Sequence, residues 1–318
     1  MILIVGTISD PHVKSVVNEI SLMGTEYVIL DRFDFAAKTG TVSLTITSNA
    51  ELTVGSGPVL ECVSSIWWRQ KPPFKIPSET VSDYYDSVFS TQEWANIQRY
   101  IEYKLQGVFA INDVGKSAIA NNKLYQLEKA ASVGFKTPRT VVTNNFKAVE
   151  DFIYLVSPSD AIFKTLTPYM NPTGSLTYTS VINKETILEK KDSISVAPGI
   201  FQEYIKKKTE LRITVVGSNI FAAKVNTPAG IEKQVDWREN IFEDIYEIFN
   251  TPEAFNNRLI SLHRVLGLVY GAYDFILDED DEFIFLEVNP SGQWLWLEKK
   301  LNFPISKSIA DLLISGTW

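Results

Sequence analysis

The sequence predicts an α/β protein with α+β portions, and three observations support this class. The chain opens with a strand–helix–strand pattern over residues 2–31, which is typical of a parallel sheet. In its second half, residues 211–227 and 269–289 each place two apolar runs around a short polar turn, which predicts antiparallel hairpins. The length of 318 residues and the hydrophobic content of 45% fit a soluble chain of about two or three domains.

The N-terminal part contains closely spaced elements. Residues 2–6 are an apolar run that predicts a buried strand, residues 12–24 carry apolar side chains at helical spacing, and residues 26–31 predict a second strand. Residues 41–54 alternate apolar and polar side chains around a turn and predict a hairpin, while residues 63–74 predict a strand that enters a proline-rich loop. The segment contains no G-x-G-x-x-G motif, so a dinucleotide site is not supported.

The next elements indicate where one structural unit ends and another begins. Residues 90–105 predict a helix with Ser90 or Thr91 as its N-cap and Glu93 completing a capping box. A new unit is predicted to begin near residue 112. The later predicted elements are a helix over 121–134 and a strand before 143, a strand over 160–166, a strand ending at 182, a strand from 199 joined by a charged linker to the 211–227 hairpin, a helix over 255–267, the 269–289 hairpin and a helix over 305–315. We therefore expect three domains, over residues 1–111, 112–200 and 201–318.

Composition excludes several functional classes. The net charge of −8 and the pI of about 5.0 argue against a general nucleic-acid binder. The single cysteine, Cys62, cannot form an intramolecular disulfide and fits a reducing cytoplasm. The N-terminus lacks the basic region of a signal peptide, and no apolar run is long enough to span a membrane. With His12 and His263 as the only histidines, a histidine-rich zinc site is excluded and a Ser-His-Asp triad is poorly supported.

The hairpin over residues 269–289 brings together ligands for a hard cation. If its acidic turn is symmetric about residues 280 and 281, Asp274 lies opposite Glu287, and cross-strand Cβ atoms are about 5 Å apart. Asn289 follows Glu287 by two residues and points to the same face. Two carboxylates and a carboxamide suit Mg²⁺. The alternative is that Asp274 and Glu287 are separately hydrogen-bonded or salt-bridged.

Two lysines predict an anionic ligand near that face. Lys164 lies within an apolar strand, and Lys123 opens a helix, where it opposes the helix dipole unless an anion is close. Together with Mg²⁺ ligands they fit a nucleoside triphosphate site, although each lysine alone fits a structural or solvent-facing role. The segment NDVGKS over 112–117 lacks the first glycine of a Walker A motif, so another nucleotide-binding fold is required.

Two arginines are candidates for binding a carboxylate or a phosphate. Arg212 lies on the apolar strand ELRITVV, and Arg238 lies in VDWRE. An arginine on an apolar strand suggests bidentate binding of such an anion. The alternative is an ion pair with Glu210 or Asp236.

Taken together, Asp274, FLEVNPSG over 285–292, the two separated lysines and FQEYI…ELR over 201–212 resemble the ATP-grasp superfamily. The tail SGQWLWLE, with SIWWRQKP over 65–72 and the 121–144 segment, is similar to graspetide synthetases, the microviridin-type ribosomal peptide maturases. The resemblance implies an ATP-grasp fold with an N-terminal Rossmann-like pre-ATP-grasp domain, a central lid domain and a C-terminal ATP-grasp domain that carries the magnesium site.

The resemblance also implies a role for each candidate residue. Lys123 and Lys164 would hold ATP phosphates, and a loop over 168–176 would close over them. Arg212 and Arg238 would lie near the reacting carboxylate and phosphate. The implied adenine hinge comprises Gln202, Glu203, Tyr204 and Ile205, with Glu203 near the adenine amino group, and Glu210 would contact the ribose. Two Mg²⁺ ions would be bound by Asp274, Glu287 and Asn289.

The implied activity is ADP-forming ligation within a ribosomally made precursor peptide. A side-chain carboxylate would be phosphorylated and then joined to a hydroxyl or an amine, as an ester or an amide. The leader of the precursor would dock on the 211–227 hairpin and a nearby central helix, and the enzyme would be a cytoplasmic homodimer with no nucleic-acid or membrane partner. Trp294 and Trp296 are interpreted as core or domain-packing residues first and as peptide-facing second, and they would share a face if the segment were extended.

Two other interpretations stay open at this stage. The first is another carboxylate–amine ligase of the same fold, such as one that adds glutamate to a protein tail or joins amino acids, because it would use the same lysines and metal ligands. The second is a non-catalytic relic that binds peptide and senses nucleotide. A relic is expected to have lost a ligand, whereas this chain retains Lys164, Asp274, Glu287 and Asn289.

Overall fold

The structure is a computed structural model that describes residues 1–31, 42–46, 50–54, 62–69, 83–157, 160–167, 179–225 and 246–318. Two predicted features, Arg238 and the 168–176 loop, lie outside these residues. The described chain contains three sheets that matter for the site and one separate hairpin.

A four-stranded parallel sheet occupies the N-terminal part, as the opening strand–helix–strand pattern predicts. Its strand order is β2-β1-β5-β6. The elements are β1 (Ile2–Val5), α1 (Pro11–Leu22), β2 (Tyr27–Leu30), β3 (Val42–Ile46), β4 (Ala50–Val54), β5 (Ser65–Trp68), α2 (Tyr84–Lys104) and β6 (Phe109–Ile111). β3 and β4 pair antiparallel and form the predicted separate hairpin.

The prediction for α2 places its start too late. The helix begins at Tyr84 because Asp83 caps it, and the Asp83 carboxylate accepts hydrogen bonds from the backbone amides of Tyr85 and Asp86. A residue such as Asp83 that satisfies two free amides of the first turn defines the start of a helix. Ser90 therefore lies inside the helix, and the capping box predicted there is wrong.

The second sheet is antiparallel, with strand order β7-β10-β8-β9. The elements of this part are α3 (Val114–Ala120), α4 (Lys123–Ser132), β7 (Thr140–Thr143), α5 (Phe146–Val156), β8 (Ala161–Lys164), β9 (Ser180–Ile182), α6 (Lys184–Glu189), α7 (Lys191–Val196) and β10 (Gly199–Glu203). The short helix α3 was not predicted. The division into domains 1–111, 112–200 and 201–318 stays a prediction.

The third sheet has five antiparallel strands in the order β13-β12-β11-β14-β15. Its elements are β11 (Lys207–Val216), β12 (Asn219–Val225), β13 (Tyr246–Ile248), α8 (Glu253–Val265), β14 (Tyr270–Asp278), β15 (Phe283–Asn289), α9 (Leu295–Leu301) and α10 (Ile305–Ser315). β11 and β12 join at a turn in which Gly217 has φ of 58°, a conformation that glycine adopts without steric cost. The strand β15 is an edge of this sheet.

Two hydrophobic clusters hold the third sheet in place. On one face, α4 and α8 pack through Ala130, Phe255 and Leu259 against strand residues that include Phe275 and Phe285, all of them buried. A second cluster joins α10 to the parallel N-terminal sheet and α1. Consequently α4, which begins at Lys123, is held against β15. No helix in the described part of the chain has the length and apolar character that crossing a membrane requires.

Candidate active site

The centre of the site is a row of three charged side chains on adjacent strands. Arg212 on β11 is the Cα partner of Asp274 on β14, and Asp274 is the Cα partner of Glu287 on β15. Because residues directly opposite each other in a sheet point to the same face, all three side chains meet there. The predicted pairing of Asp274 with Glu287 is confirmed.

The register nearer the turn differs from the prediction by one residue. A turn symmetric about residues 280 and 281 would place Ile276 opposite Phe285, whereas Ile276 pairs with Ile284. The register shifts between Asp274 and Phe275, as expected of a β-bulge, which places one extra residue on one strand. Because of this bulge, Asp274 still pairs with Glu287. The predicted register is therefore correct at this pair and wrong by one residue nearer the turn.

Arg212 is held by two carboxylates. Its Nη1 lies 2.7 Å from Asp274 Oδ1, and its Nη2 lies 2.9 Å from Glu210 Oε2. The side chain is buried, so both ion pairs are shielded from water. Of the two alternative partners considered for Arg212, Glu210 is confirmed, and the structure adds Asp274. Asp236 lies outside the described residues.

The carboxylates experience opposing effects. Burial raises the pKa of Asp274 above its ordinary value, Arg212 lowers it, and the negative charge of Glu287 raises it again, so that the net shift is upward. For Arg212, burial opposes the cation, but the charges of Asp274 and Glu210 outweigh it and raise the pKa. A buried carboxylate with a raised pKa, Asp274, beside the second carboxylate of Glu287 on the adjacent strand, forms a site that a further cation would stabilise.

Lys123 approaches the same carboxylates from α4. The Asn122 side chain caps this helix by accepting from the amides of Leu124 and Tyr125, so Lys123 is the first helical residue, as predicted. Its Nζ lies 3.5 Å from Glu287 Oε2. The predicted need for an anion near this lysine is therefore met within the protein by Glu287.

Asn289 lies at the exposed end of the face that carries Asp274 and Glu287. It is the Cα partner of Ala272, two residues beyond Glu287, and its Oδ1 accepts a hydrogen bond of 2.9 Å from the Ser291 amide. The chain turns immediately afterwards at Gly292, where an added Cβ would lie 2.4 Å from the Cβ of Ala272. Only glycine fits this close approach, so the turn that follows Asn289 depends on it.

Lys164 belongs to the facing sheet and is oriented by Gln202. The Lys164 Nζ donates a 3.0 Å hydrogen bond to Gln202 Oε1, and Gln202 Nε2 donates a 2.9 Å bond to Thr140 Oγ1. These contacts follow from the register, since Lys164 pairs with Ile200, two residues before Gln202 on β10. The buried Gln202 thus connects Lys164 to β7.

The hinge residues connect the second sheet with the third. The amide of Glu203 donates to Arg139 O, and the amide of Tyr204 donates to Asp160 O. Among the residues that the structure describes, the amide of Ile205 has no such acceptor. Within the described ranges, backbone donors therefore remain at the point where the chain passes between the sheets, and the Ile205 amide is the first of them.

Most of the predicted residues lie around one cleft between the two sheets. The cleft is lined by Pro138, Ile162, Lys164, Thr179, Gln202, Glu203, Tyr204, Ile205, Lys207, Glu210, Arg212, Asp274, Ile276, Leu286 and Glu287. Lys123 joins this group through Glu287, and Asn289 lies at the end of the same strand. Both sheets contribute apolar walls and charged groups: Lys164 and Glu203 come from the second sheet, whereas Arg212, Asp274 and Glu287 come from the third.

Sequence reasoning missed one charged residue of the cleft. Lys207 pairs with the buried carboxylate of Glu210, although the run over 206–208 is predicted to be a solvated loop. β11 begins at Lys207, and Lys207 lies three residues before Glu210. The role of Lys207 follows from the start of β11, and the polar run over 206–208 does not indicate that a strand begins there.

The tryptophan tail is not extended. α9 begins at Leu295, so Trp294 and Trp296 do not alternate along a strand. Trp294 is buried, with its ring 4.6 Å from His12 and 6.0 Å from Trp67, whereas the ring of Trp296 lies 4.5 Å from Tyr246. The core-packing interpretation is confirmed for Trp294, and the condition for a shared face is not met.

The donor set fits magnesium better than zinc. No group of three His, Cys, Asp or Glu side chains suited to a metal occurs in the described ranges. Asp274, Glu287 and Asn289 provide two carboxylates and a carboxamide. Mg²⁺ is commonly held by one or two carboxylates together with substrate phosphates, so this partial set of hard oxygen ligands is compatible with that cation.

These features together define an ATP-grasp protein: two sheets enclose a cleft with Lys164 on one sheet and the paired carboxylates of Asp274 and Glu287 on the other. Residues 120–313 match the RimK-like ATP-grasp domain, and the chain belongs to this family.

Solved structures of similar proteins extend over the whole chain. The macrocyclase MdnC of Microcystis aeruginosa MRC, bound with the precursor peptide MdnA, is 28% identical with a TM-score of 0.82, covering 99% of each chain. A RiPP-associated ATP-grasp ligase of Chryseobacterium gregarium, in complex with ADP and a leader and core peptide, is 28% identical with a TM-score of 0.85, covering 100% of this chain and 97% of that one. A curated relative, the probable alpha-L-glutamate ligase 1 of Shewanella sp. strain ANA-3, is 26% identical over 219 residues, which are 67% of this chain and 69% of the relative.

Proposed function

We propose that the protein is an ATP-dependent macrocyclase of a ribosomally made precursor peptide. The observation that carries this proposal is the likeness over nearly the full length to two peptide-bound ATP-grasp enzymes, each 28% identical. The charged row of Arg212, Asp274 and Glu287 supplies the chemistry that such an enzyme needs. In addition, all the predicted site residues that the structure describes lie in or beside the cleft.

The cleft offers a binding surface for each part of ATP. Ile162, Ile276 and Leu286 provide apolar contacts for the adenine ring, and the amide of Ile205 provides a donor for its edge. Glu203 lies near the exocyclic amine in this arrangement. Because a hinge donor, apolar walls and the Glu203 carboxylate together suit a flat base that carries an amine, we assign this end of the cleft to the adenine.

The charged end binds the ribose and the phosphates. Glu210 accepts from the ribose hydroxyls, and Lys164 and Lys123 bind phosphate oxygens. Lys123 would leave its 3.5 Å contact with Glu287 or share it when phosphate is present. Asp274, Glu287 and Asn289 would hold Mg²⁺, which neutralises charge on the transferring phosphoryl group.

The reaction follows from this arrangement. A side-chain carboxylate of Glu or Asp in the core peptide attacks the γ-phosphorus of ATP, which forms an acyl phosphate and releases ADP. A Thr or Ser hydroxyl, or a Lys amine, then attacks the acyl carbon; phosphate leaves, the attacking group loses its proton, and an ester or an amide is formed. Arg212 stabilises the reacting anions, and Arg238 is proposed to do the same. The protein supplies positioning and electrostatics, so no protein nucleophile is needed.

The leader of the precursor is proposed to dock beside the β11–β12 hairpin. Leu211, Ile213 and Val215 are buried within the sheet, so the accessible part of this hairpin is its turn. A groove beside that turn is lined by polar groups of Asn219, Asn257 and Arg264. Such groups suit the backbone of an extended or helical peptide.

A glutamate ligase is the second candidate, and the 26% identity to the probable alpha-L-glutamate ligase favours it. The two functions share the nucleotide chemistry and differ in the substrate. A glutamate ligase adds the mass of a glutamyl residue to its acceptor, whereas a macrocyclase removes one water for each ring without adding any residue.

The deciding experiment incubates the protein with ATP, Mg²⁺ and the precursor peptide encoded beside its gene, and then determines the mass of the peptide. The proposal predicts stepwise loss of whole water molecules that requires both ATP and the leader. An unchanged mass with the correct precursor would refute it, and a glutamyl mass gain with free glutamate would establish the second candidate. Size-exclusion chromatography with light scattering tests the predicted homodimer.

A further inference from the structure

The segment Val288–Pro290, which contains the proposed ligand Asn289, lies where a sheet is least supported. β15 is an edge strand, and among the described residues its outer side has only an isolated backbone bridge, between Ile284 and Lys136, and no neighbouring strand at Val288–Pro290. Fraying of such an edge would displace Glu287 and Asn289. The structure shows that two buried carboxamides, from outside the sheet, hold the segment on both sides of Asn289.

Gln126 on α4 holds the residue before Asn289. Its Oε1 accepts a 3.0 Å hydrogen bond from the Val288 amide, and its Nε2 donates a 2.8 Å bond to Val288 O. A third bond, of 2.7 Å, reaches Ala120 O. Because the carboxamide presents one donor and one acceptor, it pairs with Val288 as a neighbouring strand would.

Asn112 holds the residue after Asn289. Its Nδ2 donates to Pro290 O at 2.9 Å and to Tyr270 O at 2.7 Å. Its Oδ1 accepts from the amides of Val269 and Tyr270, both at 2.7 Å. The side chain therefore links the end of β15 to the start of β14, the strand that carries Asp274.

Both carboxamides are 2% exposed and satisfy their main donors and acceptors. Removing any one partner of such a buried polar side chain lowers the stability of the fold, because a donor or acceptor is then left buried without a hydrogen bond. Gln126 also lies one turn from Lys123 on α4, so the same helix contacts Glu287 through Lys123 and Val288 through Gln126. The position of the lysine is thereby coupled to that of the ligand-bearing strand.

We propose that Gln126 and Asn112 are positioning residues of the magnesium site: they fix the backbone on either side of Asn289 and thereby set the geometry of Glu287 and Asn289. The inference rests on the proposed function only in taking these residues as magnesium ligands. It does not depend on the identity of the peptide. Mutation of a residue that orients a metal ligand typically lowers metal affinity by about 10–100-fold.

The test compares Gln126→Met with the matched control Gln98→Met. Gln98 is also a buried glutamine on a helix, and its Nε2 bonds only to Glu102 among the described residues. Mn²⁺ binding in the presence of ADP is followed by electron paramagnetic resonance, with thermal unfolding measured in parallel. Gln126→Met is expected to weaken Mn²⁺ binding by about 10–100-fold, whereas Gln98→Met is expected to lower thermal stability and leave Mn²⁺ binding within about twofold of wild type.

Two further variants keep the inference testable if Gln126→Met does not fold. Gln126→Glu retains the acceptor for the Val288 amide and loses the donors, and Asn112→Asp retains the acceptor for β14 and loses the donor to Pro290. Each is expected to weaken Mn²⁺ binding by about tenfold. Folded variants that bind Mn²⁺ as wild type does would overturn the proposal, and so would a wild type that binds no Mn²⁺ with ADP. A wild type that binds Mn²⁺ but does not cyclise the peptide would refute the proposed function alone.

Discussion

The ion pair between Arg212 and Asp274 provides the most direct test of the charged row. Arg212→Met removes the guanidinium and keeps an unbranched side chain of similar length. Asp274 then loses the cation 2.7 Å away, while Glu287 remains on the next strand. The pKa of Asp274, which burial and Glu287 already raise, is expected to rise further.

The size of the effect follows from burial and charge. Two unit charges about 4 Å apart interact by ~4 kcal/mol at an effective dielectric constant of about 20. Breaking a buried pair by removing one partner costs about 3–5 kcal/mol, because the remaining charge is buried without compensation. We therefore expect Arg212→Met to lower the free energy of unfolding by about 3–5 kcal/mol at pH 7. Asp274→Asn in the variant background should recover about 2–3 kcal/mol, because the anion that faced Arg212 Nη1 is then removed, while Glu210 keeps Lys207 as a partner.

The assay is a double-mutant cycle by urea unfolding in EDTA, so that metal binding does not contribute. Wild type, Arg212→Met, Asp274→Asn and the double variant are compared at equal ionic strength. Additive losses in the double variant would refute the assignment of an energetically coupled pair. A second readout is pH: the deficit of Arg212→Met should shrink as the pH falls and Asp274 becomes protonated.

Three further predictions concern single positions. Glu287→Gln should lower peptide modification by at least about 100-fold, because a carboxylate ligand is lost, while circular dichroism and thermal unfolding stay close to wild type; full activity would contradict the metal assignment. Gly292→Ala should destabilise the protein by about 1–3 kcal/mol, because its Cβ meets Ala272, and Ala272→Gly in the same chain should restore stability in urea unfolding. Burial lowers the pKa of His263 from 6.5 to about 4, so the unfolded state binds the additional proton and stability falls as the pH drops from about 6.5 to about 4. This loss amounts to roughly 3 kcal/mol, and it should be absent from His263→Gln when unfolding is followed across that range.

Much of the fold was readable from the sequence because apolar periodicity and turn residues act locally. The last helix is predicted over 305–315 and observed as Ile305–Ser315, and the opening strand–helix–strand pattern forms the parallel sheet. α2 was misplaced because Asp83, whose side chain binds two amides, was not recognised as a cap. The core position of Trp294 agrees with the interpretation from the sequence, whereas the helix that begins at Leu295 was not predicted, and nothing near Trp294 in the sequence indicates the His12 and Trp67 rings that it contacts.

The sequence by itself determined the hairpin over 269–289 and the shared face of Glu287 and Asn289, because strand alternation and a short turn are local, whereas the bulge between Asp274 and Phe275 decided that Asp274 pairs with Glu287. It also named the family through the Glu-x-Asn-Pro segment. Only the tertiary structure decided that Arg212 lies between Asp274 and Glu210, and that Gln126 and Asn112 hold the C-terminal end of β15. The physical reason is distance along the chain: Gln126 meets Val288 across 162 residues, and no local pattern encodes a contact that forms only when a helix packs on the edge of a sheet.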